Sequence, residues 1–222
     1  MIKKSTKIVV FSSILVISLF SLALYKNIIH LPIVGSFEPH YITDFSDDQK
    51  LMGATHNVFV GKVIKKDNSK NLGIGPETQF SVEVISNIKG DLAGVVKVNQ
   101  FGGYENGILY LREGGDTGVP ENDLNKDSNT DKLIEVGKTY LFASRYNAEQ
   151  NWHTLVSHPN ARKLISADKN LSLDQLKLLV EKDEKVKKWQ EAYKTEIPFE
   201  SDVKSGNQLN SYSSLQAGQK TK

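Results

Sequence analysis

The clearest indication of the fold lies in residues 58–64, Val58-Phe59-Val60-Gly61-Lys62-Val63-Ile64. β-Branched and aromatic residues dominate this run, and apolar side chains fall on both of its faces. We therefore predict a central β-strand that is buried on two sides. Gly61 interrupts the run, and a glycine inside a strand often marks a bulge where the strand bends sharply.

Further short runs extend the β pattern toward the C-terminus. Residues 78–85 alternate between polar and apolar side chains, with Phe80, Val82 and Val84 on the apolar face, which is the pattern of a half-buried antiparallel strand. Residues 67–76 contain asparagine, glycine and proline and are expected to form a loop. Four more strands are predicted, at Gly94–Phe101, Ile108–Leu111, Lys138–Tyr146 and Trp152–Val156. Six short strands with close turns predict a mainly β fold, either a small barrel or a sandwich.

Two helices are predicted beside the strands. A short one over about Ser46–Thr55 opens the domain. A longer amphipathic helix begins after Ser172, because Ser172 and Gln175 fit a capping box and apolar residues recur at helical spacing as far as Tyr193. We expect its apolar face to pack on the β domain. The alternative is a helix that lies on a membrane or binds a partner, but its polar face mixes both charges, which disfavours a membrane surface.

The N-terminus carries a long uncharged segment. Residues 8–25, IVVFSSILVISLFSLALY, contain no charged side chain, and as a helix they would extend about 27 Å, close to the ~30 Å hydrocarbon core of a bilayer. Three lysines precede the segment and one follows it, so the positive-inside rule leaves the N-terminus in the cytoplasm and the rest of the chain outside. A cleaved signal peptide is one alternative, but the nearest small-x-small site, Ser21-Leu22-Ala23, lies inside the apolar run. A buried core helix is the other, since the run has no polar face. We predict an uncleaved, single-pass transmembrane helix in the cell membrane.

The predicted domain organisation follows from these segments. Residues 1–7 form a basic cytoplasmic end, and residues 8–25 form the transmembrane helix. Residues 26–45 form a stalk that leads to the β domain with its C-terminal helix, residues 46–198. Residues 199–222 form a disordered tail. The tail is assigned as disordered because it is rich in Ser, Gln, Asn, Gly and Lys and has few large apolar residues to bury.

Composition excludes several function classes. The chain has 222 residues and no cysteine, which excludes disulfides, thiolate metal sites, a cysteine nucleophile and a lipoprotein cysteine. Four of the 28 basic residues lie in residues 1–34, which hold no acidic residue, so the remainder carries 24 basic and 26 acidic groups. A nucleic-acid-binding domain would show a basic excess. We therefore expect no nucleic acid as a partner.

The strand and turn signatures together resemble a known family. In chain order they are Val58–Val63, the strand that ends at Ile88-Lys89-Gly90-Asp91, Gly94–Val98 and Val136–Ala143. This order is similar to that of the bacterial relatives of the netrin-like and TIMP-like domains, over about residues 45–158. The resemblance implies a small OB-like β-barrel. Relatives that inhibit metalloproteases use an N-terminal Cys-x-Cys, which this chain lacks, so the resemblance transfers no functional residue.

Catalytic motifs give no site. The sequence has no G-x-S-x-G, no H-E-x-x-H and no phosphate-binding G-x-x-x-x-G-K-[ST], and we assign no catalytic, cofactor-binding or metal residue and no cofactor. The five histidines are expected at the surface. They are His30, His40, His56, His153 and His158.

Residues 116–135 hold alternating oxygen ligands, which are the building blocks of calcium sites. These ligands are Asp123, Asn125, Asp127, Asn129 and Asp131. The match to an EF-hand loop is imperfect, because its sixth position holds a serine where glycine is required and its twelfth an isoleucine. We expect a solvated polar loop, with a calcium-stabilised surface binding domain as the alternative.

Aromatic residues offer one further possibility for ligand binding. Five of them could supply a stacking surface, although we expect most to pack in the core. They are Phe101, Tyr104, Tyr110, Tyr146 and Trp152. The function that the sequence favours is a membrane-anchored, extracytoplasmic, non-enzymatic binding domain whose partner is a cell-envelope protein, peptide or glycan. An unrecognised cell-envelope hydrolase is a further alternative.

Overall fold

The computed structural model describes residues 4–26, 28–31, 33–37, 43–71, 75–113, 130–156 and 159–200. Four α-helices are present among them: α1 Lys4–Tyr25, α2 Asp48–Gly53, α3 Leu173–Lys182 and α4 Glu184–Lys194. The strands are β1 Val34–Phe37, β2 Asn57–Asn71, β3 Pro76–Lys89, β4 Val95–Phe101, β5 Gly103–Glu105, β6 Ile108–Glu113, β7 Thr130–Asp131, β8 Thr139–Asn147, β9 Trp152–Leu155 and β10 Arg162–Ser166. A short 3₁₀ turn lies at Pro159–Ala161.

Five strands close into a barrel-like ring, which confirms the predicted mainly β fold. β2 pairs with β3 and with β8, and β4 pairs with β3, all antiparallel. The ring closes through β9, which is parallel to β4 and antiparallel to the second half of β8. β10 continues along β8 by pairing with its first half.

β2 is the strand that shapes the ring. A register shift between Val60 and Gly61 confirms the expected bulge, and a Cβ on Gly61 would collide with the side chain of Val82 on the neighbouring strand. The prediction of a loop over residues 67–76 was wrong in part, because β2 continues to Asn71 and pairs there with the start of β3. This extension carries lysine, serine and asparagine on both faces, so it lacks the apolar alternation that would have indicated a strand.

The apolar side chains form two cores, one on each side of β2. Phe59 and Val63 lie inside the ring, whereas Val58 and Val60 point to its outer side, which confirms that this strand is buried on both faces. The ring interior also contains Phe80, Val82, Val98, Tyr140, Phe142 and Leu155. The outer core lies between the ring and the helices and contains Leu51, Met52, Leu141, Ala143, Val180, Val186, Trp189 and Ala192.

The C-terminal helical region differs from its prediction. The capping box of Ser172 and Gln175 is present, but two helices follow it where one was expected. Asp183 separates them, since its carboxylate accepts hydrogen bonds from the backbone N–H groups of Lys185 and Val186 and so starts a second helix. An aspartate is common on the exposed face of a helix, so the sequence pattern did not reveal the break.

A second, smaller sheet lies beside the ring. In it β6 pairs antiparallel with β5 and parallel with β1, and the short β7 pairs with the end of β6. The prediction of a stalk over residues 26–45 was therefore wrong for Val34–Phe37. Four residues with only two large apolar side chains are too short a run for a periodicity argument.

The two ends of the chain were predicted from composition. Residues 8–25 are helical and belong to α1. However, among the residues whose side chains the structure describes, no helix is long and apolar enough to cross a membrane. The predicted transmembrane helix is not found among them, and membrane anchoring stays a prediction. At the other end Phe199 packs against the outer core, so the expected tail of 199–222 begins too early. Residues 201–222 lie outside the described residues.

Candidate functional site

The strongest candidate is a polar face on the outer side of β3 and β4. On β3, Thr78, Phe80 and Val82 are buried, and the alternation of the strand turns Gln79 and Ser81 to the opposite face, where Gln79 is half-buried and Ser81 buried. The register places Gln79 opposite Asn99 and Ser81 opposite Lys97. We define the polar face by five residues on these two strands, Glu77, Gln79, Ser81, Lys97 and Asn99.

One half of the polar face is a hydrogen-bonded row of amides that ends in a carboxylate. The side-chain amide of Gln79 donates to Asn99 Oδ1 at 3.0 Å, and Asn99 Nδ2 donates to Glu77 Oε2 at 3.2 Å. Asn99 is buried, while Gln79 and Glu77 are half-buried. Asn99 therefore positions the other two, which remain accessible to a ligand. Burial raises the pKa of Glu77, and the hydrogen bond from Asn99 only partly offsets that effect.

The other half of the polar face, Ser81 and Lys97, belongs to a charged cluster around Asp67, which lies on β2. Lys97 Nζ lies 2.7 Å and Ser81 Oγ 2.8 Å from Asp67 Oδ2, and Lys65 Nζ lies 3.1 Å from Oδ1. Burial alone would raise the pKa of Asp67, but the hydrogen bonds from Lys97, Ser81 and Lys65 outweigh it and hold the pKa below its usual value. The charge of Lys97 is thus compensated within the cluster.

This arrangement favours hydrogen-bonded recognition. Its groups are amide, carboxylate, hydroxyl and ammonium, held by one another in fixed orientations. Among the residues that the structure describes, no group of three or more His, Asp or Glu side chains could hold a metal ion. The Ser81 hydroxyl donates to Asp67 Oδ2 and accepts a hydrogen bond from Lys97 Nζ at 2.8 Å, so it is held as both donor and acceptor within the charged cluster.

The aromatic residues proposed as a stacking surface lie on different elements. Trp152 is 6% exposed and counts as core, and the ammonium group of Lys70 lies 5.7 Å from its ring centroid. Phe101, Tyr104, Tyr110 and Tyr146 are only half-buried. The expectation that most of these rings pack in the core was therefore wrong. Their distribution over β4, β5, β6 and β8 gives no single platform.

The histidines do not all lie at the surface. His153 is 4% exposed, because the alternation of β9 turns it to the same side as Leu155, inside the ring. Its ring centroid lies 5.0 Å from that of Tyr146 and 6.4 Å from that of Phe59. Burial, with a smaller contribution from His56, lowers the pKa of His153 to about 4. The two-residue spacing to Leu155 is the signal that could have predicted this position.

The other histidines are divided between the surface and the undescribed part of the chain. His56 is half-buried, and its Nδ1 accepts a hydrogen bond from the backbone N–H of Tyr146 at 3.2 Å. His30 is exposed and stacks on Tyr104 with 3.7 Å between ring centroids. His40 and His158 lie outside the described residues.

The proposed calcium loop is only partly described. Asp123, Asn125, Asp127 and Asn129 lie outside the described residues, so the expected solvated loop stays a prediction and calcium binding its alternative. Asp131 belongs to β7 and pairs with β6. Ile134 is buried, and its N–H donates to Gln100 Oε1 at 2.8 Å. The expected loop of 116–135 was therefore wrong at its end, which folds into the ring.

Comparison with known proteins does not assign a family. A scan of the sequence against protein-family models gives no match, and a search of curated proteins gives none either. The resemblance to netrin-like and TIMP-like domains stays a prediction from the sequence.

Proposed function

We propose that this protein is a membrane-anchored, extracytoplasmic binding module that holds a neutral glycan on its polar face and catalyses no reaction. The observation that carries the proposal is the hydrogen-bonded row of Gln79, Asn99 and Glu77. Amides and carboxylates in fixed orientations bind hydroxyl groups by pairing with both their donors and their acceptors.

The fold supports the choice of this face. We infer an OB-type barrel, because a five-stranded, partly open Greek-key barrel defines that fold and the ring here has five strands with β8 returning to β2. OB-type barrels bind ligands on the face of their second and third strands. In this chain those strands are β3 and β4, which carry the polar face. The resemblance to netrin-like and TIMP-like domains points to the same fold.

The charges favour a neutral ligand over a polyanion. Lys97 and Lys65 are both paired with Asp67, and the carboxyl group of Glu77 lies on the same face. A nucleic acid would need an uncompensated basic surface. A glycan would need directional hydrogen bonds, which the amide row supplies.

Membrane anchoring rests on the sequence. Residues 8–25 form an uncharged run preceded by three lysines, which fits a single-pass helix with the remainder of the chain outside the cytoplasm. Fractionation and mass spectrometry of the mature N-terminus test this. A released protein that begins between Ala23 and Asn27 would replace the anchor by a signal peptide.

Binding on the polar face is tested with the full chain in lipid nanodiscs on glycan and peptide arrays. We expect a glycan to bind, and Gln79→Ala or Glu77→Ala to weaken it by about tenfold, the effect of losing roughly one hydrogen bond. Glu83→Ala is the matched control, because Glu83 is exposed on the same strand and outside the row. Equal loss in the control, binding of peptides alone, or turnover of the bound glycan would contradict the proposal.

A further inference from the structure

The end of helix α1 packs against the hairpin between β5 and β6. The N–H of Leu31 donates to the carbonyl oxygen of Gly107 at 2.7 Å. A Cβ on Gly107 would lie 2.7 Å from Leu24 Cδ2 and 2.8 Å from the carbonyl oxygen of Ile29. Gly107 also has a φ of +81°, which glycine adopts without strain. The hairpin and the end of α1 therefore meet at a position that only glycine fits well.

An aromatic stack makes a second contact between the segment after α1 and the hairpin. We call this contact and the one at Gly107 together the joint. The imidazole of His30 lies flat on Tyr104, with 3.7 Å between centroids and 9° between planes. The ammonium group of Lys66 lies 5.3 Å from the centroid of the same tyrosine ring. Tyr104 belongs to β5, so this stack ties the segment after α1 to the small sheet and, through Lys66, to β2.

Backbone pairing continues the joint toward the folded domain. The N–H of Leu109 donates to the carbonyl oxygen of Ile33 at 3.2 Å, and β1 then pairs with β6 over four residue pairs. The described residues between α1 and β1 thus lie against the hairpin and do not form a free tether. The position of the hairpin is coupled to the position of the helix end.

We infer that this joint holds the β5–β6 hairpin against the outer surface of the membrane, with the lipid headgroup layer as its partner. The inference rests on the proposed anchor. Helix α1 ends at Tyr25, and Lys26 follows; tyrosine and lysine side chains anchor helix ends at a membrane–water interface. A hairpin that contacts Leu24 must lie at about the depth of that interface, since Leu24 precedes Tyr25 by one residue.

The surface around the hairpin fits lipid headgroups. Asn71 Nδ2 donates to Glu105 Oε1 at 2.7 Å, which brings the end of β2 to the same side of the molecule. Lys66 and Lys70 on β2 are exposed. Lysines at this depth are attracted to phosphate groups. The polar face then keeps a fixed orientation relative to the membrane, because it belongs to the same ring as β2.

Spin labels test this orientation, and the chain suits the method because it has no cysteine of its own. The full chain carrying Ile108→Cys is labelled and placed in phosphatidylcholine nanodiscs, and collision with a water-soluble nickel complex is measured. Glu181→Cys on the exposed face of α3 is the reference. We expect several-fold less collision at 108 than at 181.

Variants of the joint separate docking from anchoring. Leu31→Pro removes the N–H that donates to the carbonyl oxygen of Gly107. Combined with Tyr104→Ala, it should raise the nickel collision rate of the label at position 108 to the rate at position 181. Leu31→Ala keeps the N–H and should leave the label protected. If α1 enters the nanodisc but position 108 is as accessible as 181, docking is refuted and the anchor stands. If the chain does not enter the nanodisc, anchor and docking are refuted together.

Discussion

The protonation of His153 is linked to folding, because the folded protein keeps this buried imidazole neutral. Its pKa is about 4 in the folded state and about 6.5 when unfolded. As pH falls below 6.5 the unfolded chain binds a proton that the folded chain does not, so stability falls between about pH 6.5 and 4. We expect a loss of about 2 kcal/mol at pH 5 relative to pH 7.5 from this group.

Urea unfolding of the full chain at both pH values measures this effect. His153→Gln removes the titrating group, so the variant should lose about 2 kcal/mol less between pH 7.5 and pH 5 than the parent does. The parent-minus-variant difference isolates His153 from the other titrating groups. An identical pH dependence in both proteins would show that the imidazole reaches solvent in the folded state.

Gly53 is a second residue whose environment is restrictive. The backbone of Ile197 passes so close that a Cβ on Gly53 would overlap the carbonyl oxygen of Ile197. The N–H of Ile197 also donates to the backbone carbonyl oxygen of Gln49 at 3.1 Å. We expect Gly53→Ala to lower the melting temperature and cost about 1–3 kcal/mol through overpacking. Lys50→Ala in the same helix is the control and should be nearly neutral. Equal melting of parent and Gly53→Ala would mean that the C-terminal segment moves away without cost.

Among the elements, the pair α3 and α4 depends on Asp183. This residue ends one helix and caps the next, with its carboxylate 2.8 Å from the N–H of Lys185 and 3.2 Å from that of Val186. We expect Asp183→Ala to cost about 0.5–2 kcal/mol, as loss of an N-cap does. Asp183→Asn keeps the acceptor oxygen and should cost little. An equal loss for Asn and for Ala would place the effect in the charge and not in the cap.

Helix α4 is held on the ring by Trp189. The residue is 0% exposed, and its indole N–H donates to Asp48 Oδ1 at 3.0 Å. Trp189→Ala should cost about 3–5 kcal/mol, the range for removing a buried aromatic side chain. Leu178→Ala on α3 is the control, because Leu178 is largely exposed. Chemical denaturation measures both, and a loss below 1 kcal/mol for Trp189→Ala would contradict the burial.

Most elements with a clear period could be predicted from the sequence. The strand β3 alternates, and β2 is apolar on both faces, so both were found near their true positions. The polar extension of β2 and the four-residue β1 were not found, because each is specified by its partner strand and not by its own pattern. The break at Asp183 was missed for a similar reason: a cap is defined by the backbone N–H groups beneath it, which periodicity does not report.

At the scale of the whole molecule, Phe199 sets the end of the folded part. It packs against the outer core, and the guanidinium of Arg145 lies 5.8 Å from its ring. We expect a chain that ends at residue 200 to melt like the full chain, and one that ends at 198 to melt a few degrees lower, the shift that about 1 kcal/mol produces in a domain of this size. If the two truncations melt alike, the Phe199 contact contributes nothing.

The candidate site could be predicted only in part. Alternation in β3 places Gln79 and Ser81 outward, but nothing in the sequence says that Asn99 lies opposite Gln79, because that requires the register between β3 and β4. His153 was assigned to the surface since histidine usually is exposed, and its burial follows from the ring closing around β9. Pairings between distant strands are decided by the whole fold and leave no local signal.

The parallel pairing of β4 with β9 consists of two residue pairs, Val98 with His153 and Asn99 with Thr154. Every other ladder of the ring has at least four. This short ladder is the seam of the ring, and a ring of strands should open first at its shortest ladder. Amide hydrogens at the seam should therefore exchange with deuterium sooner than those between β2 and β8. Asn99 belongs both to the seam and to the polar face. A ligand bound to Asn99 would therefore hold β4 and β9 together. Slower hydrogen–deuterium exchange of the amides at the seam would then report its binding without any label.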